Sequence, residues 1–224
     1  WVLDPLCFML IYVFMFGYVF KSKQQYFAIF VFIGITFWDF FNKCLIQSVK
    51  LIKANKPIVS KVYIPKFILI LVKIGVNGFK MFISLLIIVA MLAVWRVPIT
   101  YNVIYIIPIL MTLIVLVFGF SCYLLHYGVF VEDLSNVLNI ALRFLFYLTG
   151  IFWSIMDRLP APYNSYIGRC NPIAFLLTSA RDCVIYGSTP HRKLLLLWFV
   201  IGLIISALGV RKIYKNENSY VKVI

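Results

Sequence analysis

Between Val103 and Leu125 the chain carries no charged side chain. A helix of about 20 such residues crosses the hydrocarbon core of a bilayer, so this stretch is read first as a membrane span. Five further apolar runs, Pro5–Phe20, Tyr26–Phe41, Phe67–Trp95, Val137–Trp153 and Leu194–Val210, carry at most two charged residues each. Six spans use roughly 120 residues of the 224 in the chain, leaving little beyond connecting loops. Hydrophobic residues make up 64% and charged residues 12%, whereas soluble domains run about 45–50% apolar and about 25% charged. An ordinary soluble globule is excluded, and so is a disordered chain. The sequence predicts an all-α membrane protein of six transmembrane helices, forming a single domain over residues 1–224.

Polar punctuation divides the runs. Asp4 and Pro5 suit an N-cap and a first helical position, Lys21–Gln25 makes a short turn, and Arg96-Val97-Pro98 breaks the third run. The fourth run is followed by His126, Glu132 and Asp133, the fifth by a Pro-, Asn-, Tyr- and Gly-containing loop, and the last by the polar tail Arg211–Ile224. Trp1, Trp95, Trp153 and Trp198 lie near span ends, as interfacial tryptophans do. Trp1 opens directly on an apolar run without a signal-peptide pattern, which predicts that a preceding segment is missing.

Lys and Arg number 21 against 7 Asp and Glu. With no nucleic-acid motif present, this excess reads as basic loops and contact with anionic lipid. Lys43, Lys50, Lys53, Lys56, Lys61 and Lys66 fill the second loop, over 43–66, without an acid. Six spans put both termini on one side. That side holds these six and Arg211, Lys212, Lys215 and Lys222, ten in all, against eight on the other: Lys21, Lys23, Arg96, Arg158, Arg169, Arg181, Arg192 and Lys193. The compact lysine loop sets the orientation, with both termini cytoplasmic.

Catalytic and metal chemistry find little support. No G-x-x-x-x-G-K-[ST] occurs, and Gly75-Val76-Asn77-Gly78-Phe79-Lys80 lacks its spacing. His126 and His191 are far apart, which argues against a metal site. The five cysteines form no C-x-x-C. Cys170 and Cys183 share one loop, where free thiols are the reading that spacing favours. Asp157 and Asp182 each adjoin an arginine, Arg158 or Arg181, as structural loop charges do. The sequence predicts a non-catalytic chain without a cofactor of its own.

Three features suggest a transport path instead. Lys73, Asn77, Lys80 and Ser84 recur at i, i+4, i+7 and i+11, on one helical stripe. They form either a wall attracting an anionic group or lysines that snorkel to the headgroups. Arg143 poses the same choice in the fifth run. Phe8, Tyr12 and Phe16 on the first run, and Phe144 and Tyr147 on the fifth, offer aromatic faces for sugar rings or for lipid. Within 47–65, Val49, Ile52, Ile58, Val59, Val62 and Ile64 alternate with lysines between Pro57 and Pro65. Such an amphipathic segment docks in a partner's groove or lies on the inner leaflet.

Several motifs together resemble those of the permease subunits of ABC-2 type exporters for teichoic acid, O-antigen and capsule. Trp1-Val2-Leu3-Asp4-Pro5 matches the family's entry to its first span, and Asn55-Lys56-Pro57-Ile58-Val59-Ser60-Lys61-Val62-Tyr63-Ile64-Pro65 matches its second loop. Asp133 keeps half of an Arg-Asp pair whose arginine is replaced here by Glu132. Gly150-Ile151-Phe152-Trp153 matches an outer turn without its proline, and Asn171-Pro172 and Ser179-Ala180-Arg181-Asp182 follow. The last three are most similar to Gram-positive teichoic-acid exporter permeases.

The resemblance implies a homodimer bound to two separate ATPase subunits, which would hold ATP and Mg, in the cytoplasmic membrane. Lys53, Asn55, Lys56, Ile58, Val59, Lys61, Tyr63 and Pro65 would form the coupling helix. Phe8, Tyr12, Phe16, Lys73, Asn77, Lys80, Arg143, Phe144 and Tyr147 would line the path of a lipid-linked glycan. Phe152, Trp153, Asn171 and Pro172 would belong to an outer gate that includes the loop 154–193. The resemblance also implies an interfacial helix before the first span, expected in the missing preceding segment. The competing expectations are an ABC-2 permease for a drug, peptide or lipid, a membrane enzyme acting on a lipid-linked sugar, and a subunit of a membrane assembly.

Overall fold

The computed structural model describes residues 7, 10, 11, 14, 26–59, 61, 63–98, 100–155, 160, 163–217, 219 and 220. Among these the regular structure is entirely helical. Helix α1 spans Phe27–Val49, and two single turns follow, α2 at Leu51–Ala54 and α3 at Lys56–Val59. Helix α4 covers Lys66–Val94, and a 3-10 turn at Tyr101–Tyr105 leads into α5, Ile106–Phe130. The rest comprises α6 (Leu134–Leu148), α7 (Tyr163–Cys170), α8 (Pro172–Val184) and α9 (Arg192–Lys215). Four of these, α1, α4, α5 with its 3-10 turn, and α9, are long and apolar enough to cross a membrane. Most of the first predicted run, Phe8, Tyr12 and Phe16 included, lies outside the described residues, as does Asp157.

Two faces emerge from the contacts between helix ends. Gly128 near the end of α5 lies against the backbone of Val49 at the end of α1. Lys66, opening α4, pairs with Glu217 just past α9. Lys50, Lys53, Lys56, Lys61 and Lys66 gather at this basic face. At the far face the Asn102 amide donates to the Gly187 carbonyl, joining the start of α5 to the approach of α9.

Helices α5 and α9 therefore run parallel, and small residues let them touch. Ser206 Oγ donates to the Val115 carbonyl at 2.9 Å. A Cβ on Gly209 would stand 2.7 Å from that of Cys122, and one on Gly119 would stand 3.1 Å from the Ser206 amide. Such close approach is how helices associate where lipid removes the hydrophobic driving force. Helix α1 is the central pillar, with Ile29, Val31 and Phe32 fully buried.

The predicted boundaries shift in three places. The second run does not stop at Phe41, because Lys43 is neutralised within the helix by Asp39 at 2.7 Å, and α1 continues to Val49. The lysine loop thus begins at Lys50, with Pro57 inside α3 rather than bracketing an element. The fifth run becomes a helix of only 15 residues, about 22 Å long against the roughly 30 Å of a hydrocarbon core. It ends at Thr149, and Gly150 then takes φ 68°, a left-handed turn open to glycine. Phe152 and Trp153 consequently lie in a bend, and α7 and α8 occupy much of the predicted outer loop.

Arg181 of α8 fastens this interrupted passage to α1. Its guanidinium is buried and donates from Nε to the Phe30 carbonyl at 3.1 Å, from Nη1 to Gly150 at 2.8 Å and from Nη2 to Ile151 at 2.6 Å. Its Cζ also sits 3.4 Å from the centroid of the Phe30 ring. Gly34 makes room: a Cβ there would stand 2.6 Å from Nη2. Replacing Arg181 with Met removes all three bonds and leaves buried carbonyls unpaired. With bonds to a charged group worth about 1.5–3 kcal/mol each, a net loss of about 3 kcal/mol lowers the thermal midpoint in detergent by roughly 6–12 °C. Gly34→Ala, acting through the same contact, gives about half that shift. An unchanged midpoint for Arg181→Met would show that this contact does not hold the fold.

Candidate functional site

An open groove runs between α1 and α6, in the half of the molecule toward the basic face. Its cavity of about 550 Å³ is lined by Trp38, Asn42 and Ile46 from α1 and by Asn139, Leu142, Arg143, Phe146 and Tyr147 from α6. The spacing explains the assembly. Residues 38, 42 and 46 recur every four along one helix, as do 139, 143 and 147 along the other. Trp38 anchors the wall, edge-on to Phe146 at 5.5 Å. Phe146 in turn meets Tyr147 at 5.5 Å and Phe152 at 5.4 Å. Among the described residues, no carboxylate lines the groove. A cation, two amides and edge-packed aromatic rings can bind an anionic group beside a sugar ring.

The other predicted path residues are distributed differently. Phe144 is 70% exposed and does not line the groove, unlike the equally exposed Tyr147. On α4, Asn77 and Ser84 are buried while Lys73 and Lys80 are half-buried at their flanks. Asn77 donates to Gln47 Oε1 at 3.1 Å and lies 3.4 Å from Cys44 Sγ, so it ties α4 to α1. The polar stripe is thus split between a helix contact and two flanking cations.

At the basic face, Lys53, Lys56 and Lys61 are exposed, Ile58 is half-exposed and Val59 is buried. Asn55 is the polar joint of the loop, its side chain donating to the Leu51 carbonyl at 2.7 Å. Exposed Tyr63 and half-buried Pro65 lead into α4. The predicted polar tail turns out to close against this loop. Glu217 lies 3.2 Å from Lys66 Nζ and accepts from the Tyr63 hydroxyl at 3.2 Å. The bond to that carboxylate holds the Tyr63 phenol above its usual pKa. Tyr220 is completely buried and its hydroxyl lies 2.8 Å from His126 Nδ1. Burial, with Glu217 nearby, pushes this phenol upward and keeps it protonated. The partner of His126 was not foreseeable from the sequence, because the two residues are far apart in the chain.

At the far face the Asn171-Pro172 motif is a helix start. Asn171 Oδ1 accepts from the Ile173 and Ala174 amides at 3.1 and 3.3 Å, and Pro172 takes the first helical position, where its missing amide costs nothing. The Asn171 amide also reaches Thr149 Oγ1 at 3.4 Å, linking α8 to the end of α6. Phe152 and Trp153 are half-buried in the adjoining bend. Asp182 is raised by burial to about 6, with Arg181 opposing the shift; Arg181 itself is engaged by carbonyls. Cys170 is exposed and Cys183 buried, and both are free thiols. No group of three or more His, Cys, Asp or Glu suited to a metal occurs among the described residues.

Helical architecture and hydropathy define an integral membrane protein. Over all 224 residues the chain is 24% identical to the O-antigen export system permease protein RfbA of Klebsiella pneumoniae, covering 85% of that protein. A second Klebsiella pneumoniae protein of the same name is 23% identical over the same extent. No family model matches the chain. The similarity to polysaccharide-exporter permeases read from the motifs is borne out by these relatives.

The Lys66–Glu217 contact provides a direct test of the tail. Glu217→Gln leaves the Lys66 ammonium, 3% exposed, without its carboxylate. Breaking a buried pair from one side costs about 3–5 kcal/mol. We expect residues 211–220 to exchange amide hydrogens faster and to become cleavable by protease, while α1 keeps its protection.

Proposed function

We propose that this chain is the permease subunit of an ATP-driven exporter that moves a lipid-linked cell-surface glycan across the cytoplasmic membrane. The observation that carries this reading is the similarity to O-antigen export permeases along the whole chain. The subunit itself is non-catalytic. It works as a homodimer with two ATP-binding subunits, which supply ATP hydrolysis with Mg. The polymer is of the O-antigen, teichoic-acid or capsule type, and both termini face the cytoplasm.

The groove between α1 and α6 supports a substrate path, because its cation and rings suit the anionic linkage and sugars of such a substrate. Arg143 binds the linkage, and Phe144 and Tyr147 guide the polymer together with Phe8, Tyr12 and Phe16. Lys73 and Lys80 keep the path electropositive beside Asn77. Lys53, Asn55, Lys56, Ile58, Val59, Lys61, Tyr63 and Pro65 make the coupling segment, an assignment favoured by its exposed lysines and by Ile58 at the surface. Phe152 and Trp153, with the Asn171-Pro172 helix start, form the outer gate.

Two experiments test this reading. A single cysteine at Lys61, in a background lacking the native cysteines, should crosslink to the co-expressed ATPase in a nucleotide-dependent way. Labelling of that cysteine from outside the cell, with no crosslink, would reverse the orientation and remove the coupling role. Arg143→Gln should reduce glycan export by about tenfold, the loss of roughly one charge-assisted contact, while leaving the amount of folded protein unchanged. Export at the wild-type rate would exclude Arg143 from the path.

A further inference from the structure

A second groove opens at the far face, between the starts of α5 and α9, with a cavity of about 480 Å³. Its wall is apolar and faces outward: Leu196 is 65% exposed, Ile107 61% and Met111 52%. Arg192 and Tyr105 also line it, with the Arg192 Cζ 5.2 Å from the centroid of the Tyr105 ring. No carboxylate lines the groove, and no ion pair engages Arg192 among the described residues.

Because α5 and α9 run parallel, both helix starts lie at one membrane level, so polar and apolar parts of the groove are ordered by depth. Arg192 sits at the first turn of α9, beside exposed Lys193 and His191 and without an acid in that turn. Cations are disfavoured at this end of a helix dipole, and an anion against them relieves that repulsion. One turn deeper, Leu196 and Met111 offer only hydrocarbon. The groove is large enough for a small-molecule ligand, which typically fills about 300–1,000 Å³. Its occupant must carry negative charge at one end and an alkyl chain at the other.

We propose that this groove binds one anionic phospholipid, its phosphate against Arg192 and an acyl chain against Ile107, Met111 and Leu196. The site stands apart from the groove beside Arg143 and does not depend on the export reading. It gives the α5–α9 pair, already locked by Ser206 and Gly209, a lipid that stabilises its far end.

The test uses the full chain in detergent, with phosphatidylglycerol or phosphatidylcholine of identical acyl chains. Native mass spectrometry should show phosphatidylglycerol retained about tenfold more than phosphatidylcholine, and thermal unfolding should show a midpoint raised by about 4 °C. Arg192→Gln should bring retention of phosphatidylglycerol down to that of phosphatidylcholine, while Arg211→Gln near the opposite face changes nothing. Met111→Trp with Leu196→Trp, which fills the groove without altering charge, should abolish retention. Equal retention of the two lipids, or an Arg192→Gln protein that behaves as wild type, would overturn the proposal. Soluble glycerol 3-phosphate raising the midpoint as much as phosphatidylglycerol would also overturn it, leaving a site for a free anion.

Discussion

The structure depends on one buried guanidinium. Buried backbone carbonyls need partners, yet α6 ends after about 22 Å and frees the carbonyls of Gly150 and Ile151. Arg181 satisfies both and adds that of Phe30. A shorter donor would reach one or two of these oxygens. The planar fork reaches all three and stacks on the Phe30 ring. Because Gly34 has no side chain, the guanidinium lies directly against the central helix. The guanidinium thereby adds a polar fastening of α8 and the α6 turn to α1, alongside the Trp38–Phe146 contact.

Fixing that turn has consequences at a distance. With the end of α6 anchored, Asn139, Arg143 and Tyr147 along that helix lie across the groove from Trp38 and Asn42. Phe146 connects the two regions, touching Trp38 on one side and Phe152 of the far-face bend on the other. These ring contacts join the groove to the far-face bend without any polar relay. At the opposite end, the closed tail joins α4, α5 and α9 through Glu217 and Tyr220, so the lysine loop is attached to a rigid base rather than to a free strand.

Much of this was legible in the sequence. Long apolar runs gave α4 almost to the residue and located α5, whose helix starts three residues and ends five residues later than the run, since nothing but a helix satisfies the backbone of such segments in lipid. Asn171-Pro172 was visible as a motif, and its role as a cap follows from ordinary helix chemistry. The Gly202, Ser206 and Gly209 spacing on α9 was a readable signal for close packing that hydropathy alone does not register. Other features left no local trace. Whether Lys43 ends a helix depends on Asp39 one turn earlier, and a run of apolar residues continues across Gly150 without marking the stop. His126 and Tyr220, or Lys66 and Glu217, meet only because parallel helices bring distant segments to the same end.

The sequence by itself determined the solvent, the helical class and the basic face, because these follow from composition and from local periodicity. It also supplied the chemistry of the individual groups: an arginine in an apolar run, aromatic residues at helical spacing, lysines without acids. Tertiary structure alone decided which of these groups meet. Arg181 stands beside Asp182 in the chain yet is held by carbonyls from α1 and the α6 turn. Arg143 faces amides of two helices, whereas Asn77, expected on the same path, is used to join α4 to α1. Partners for a buried polar group are chosen by where the chain returns in space, and no spacing rule along one helix encodes that choice.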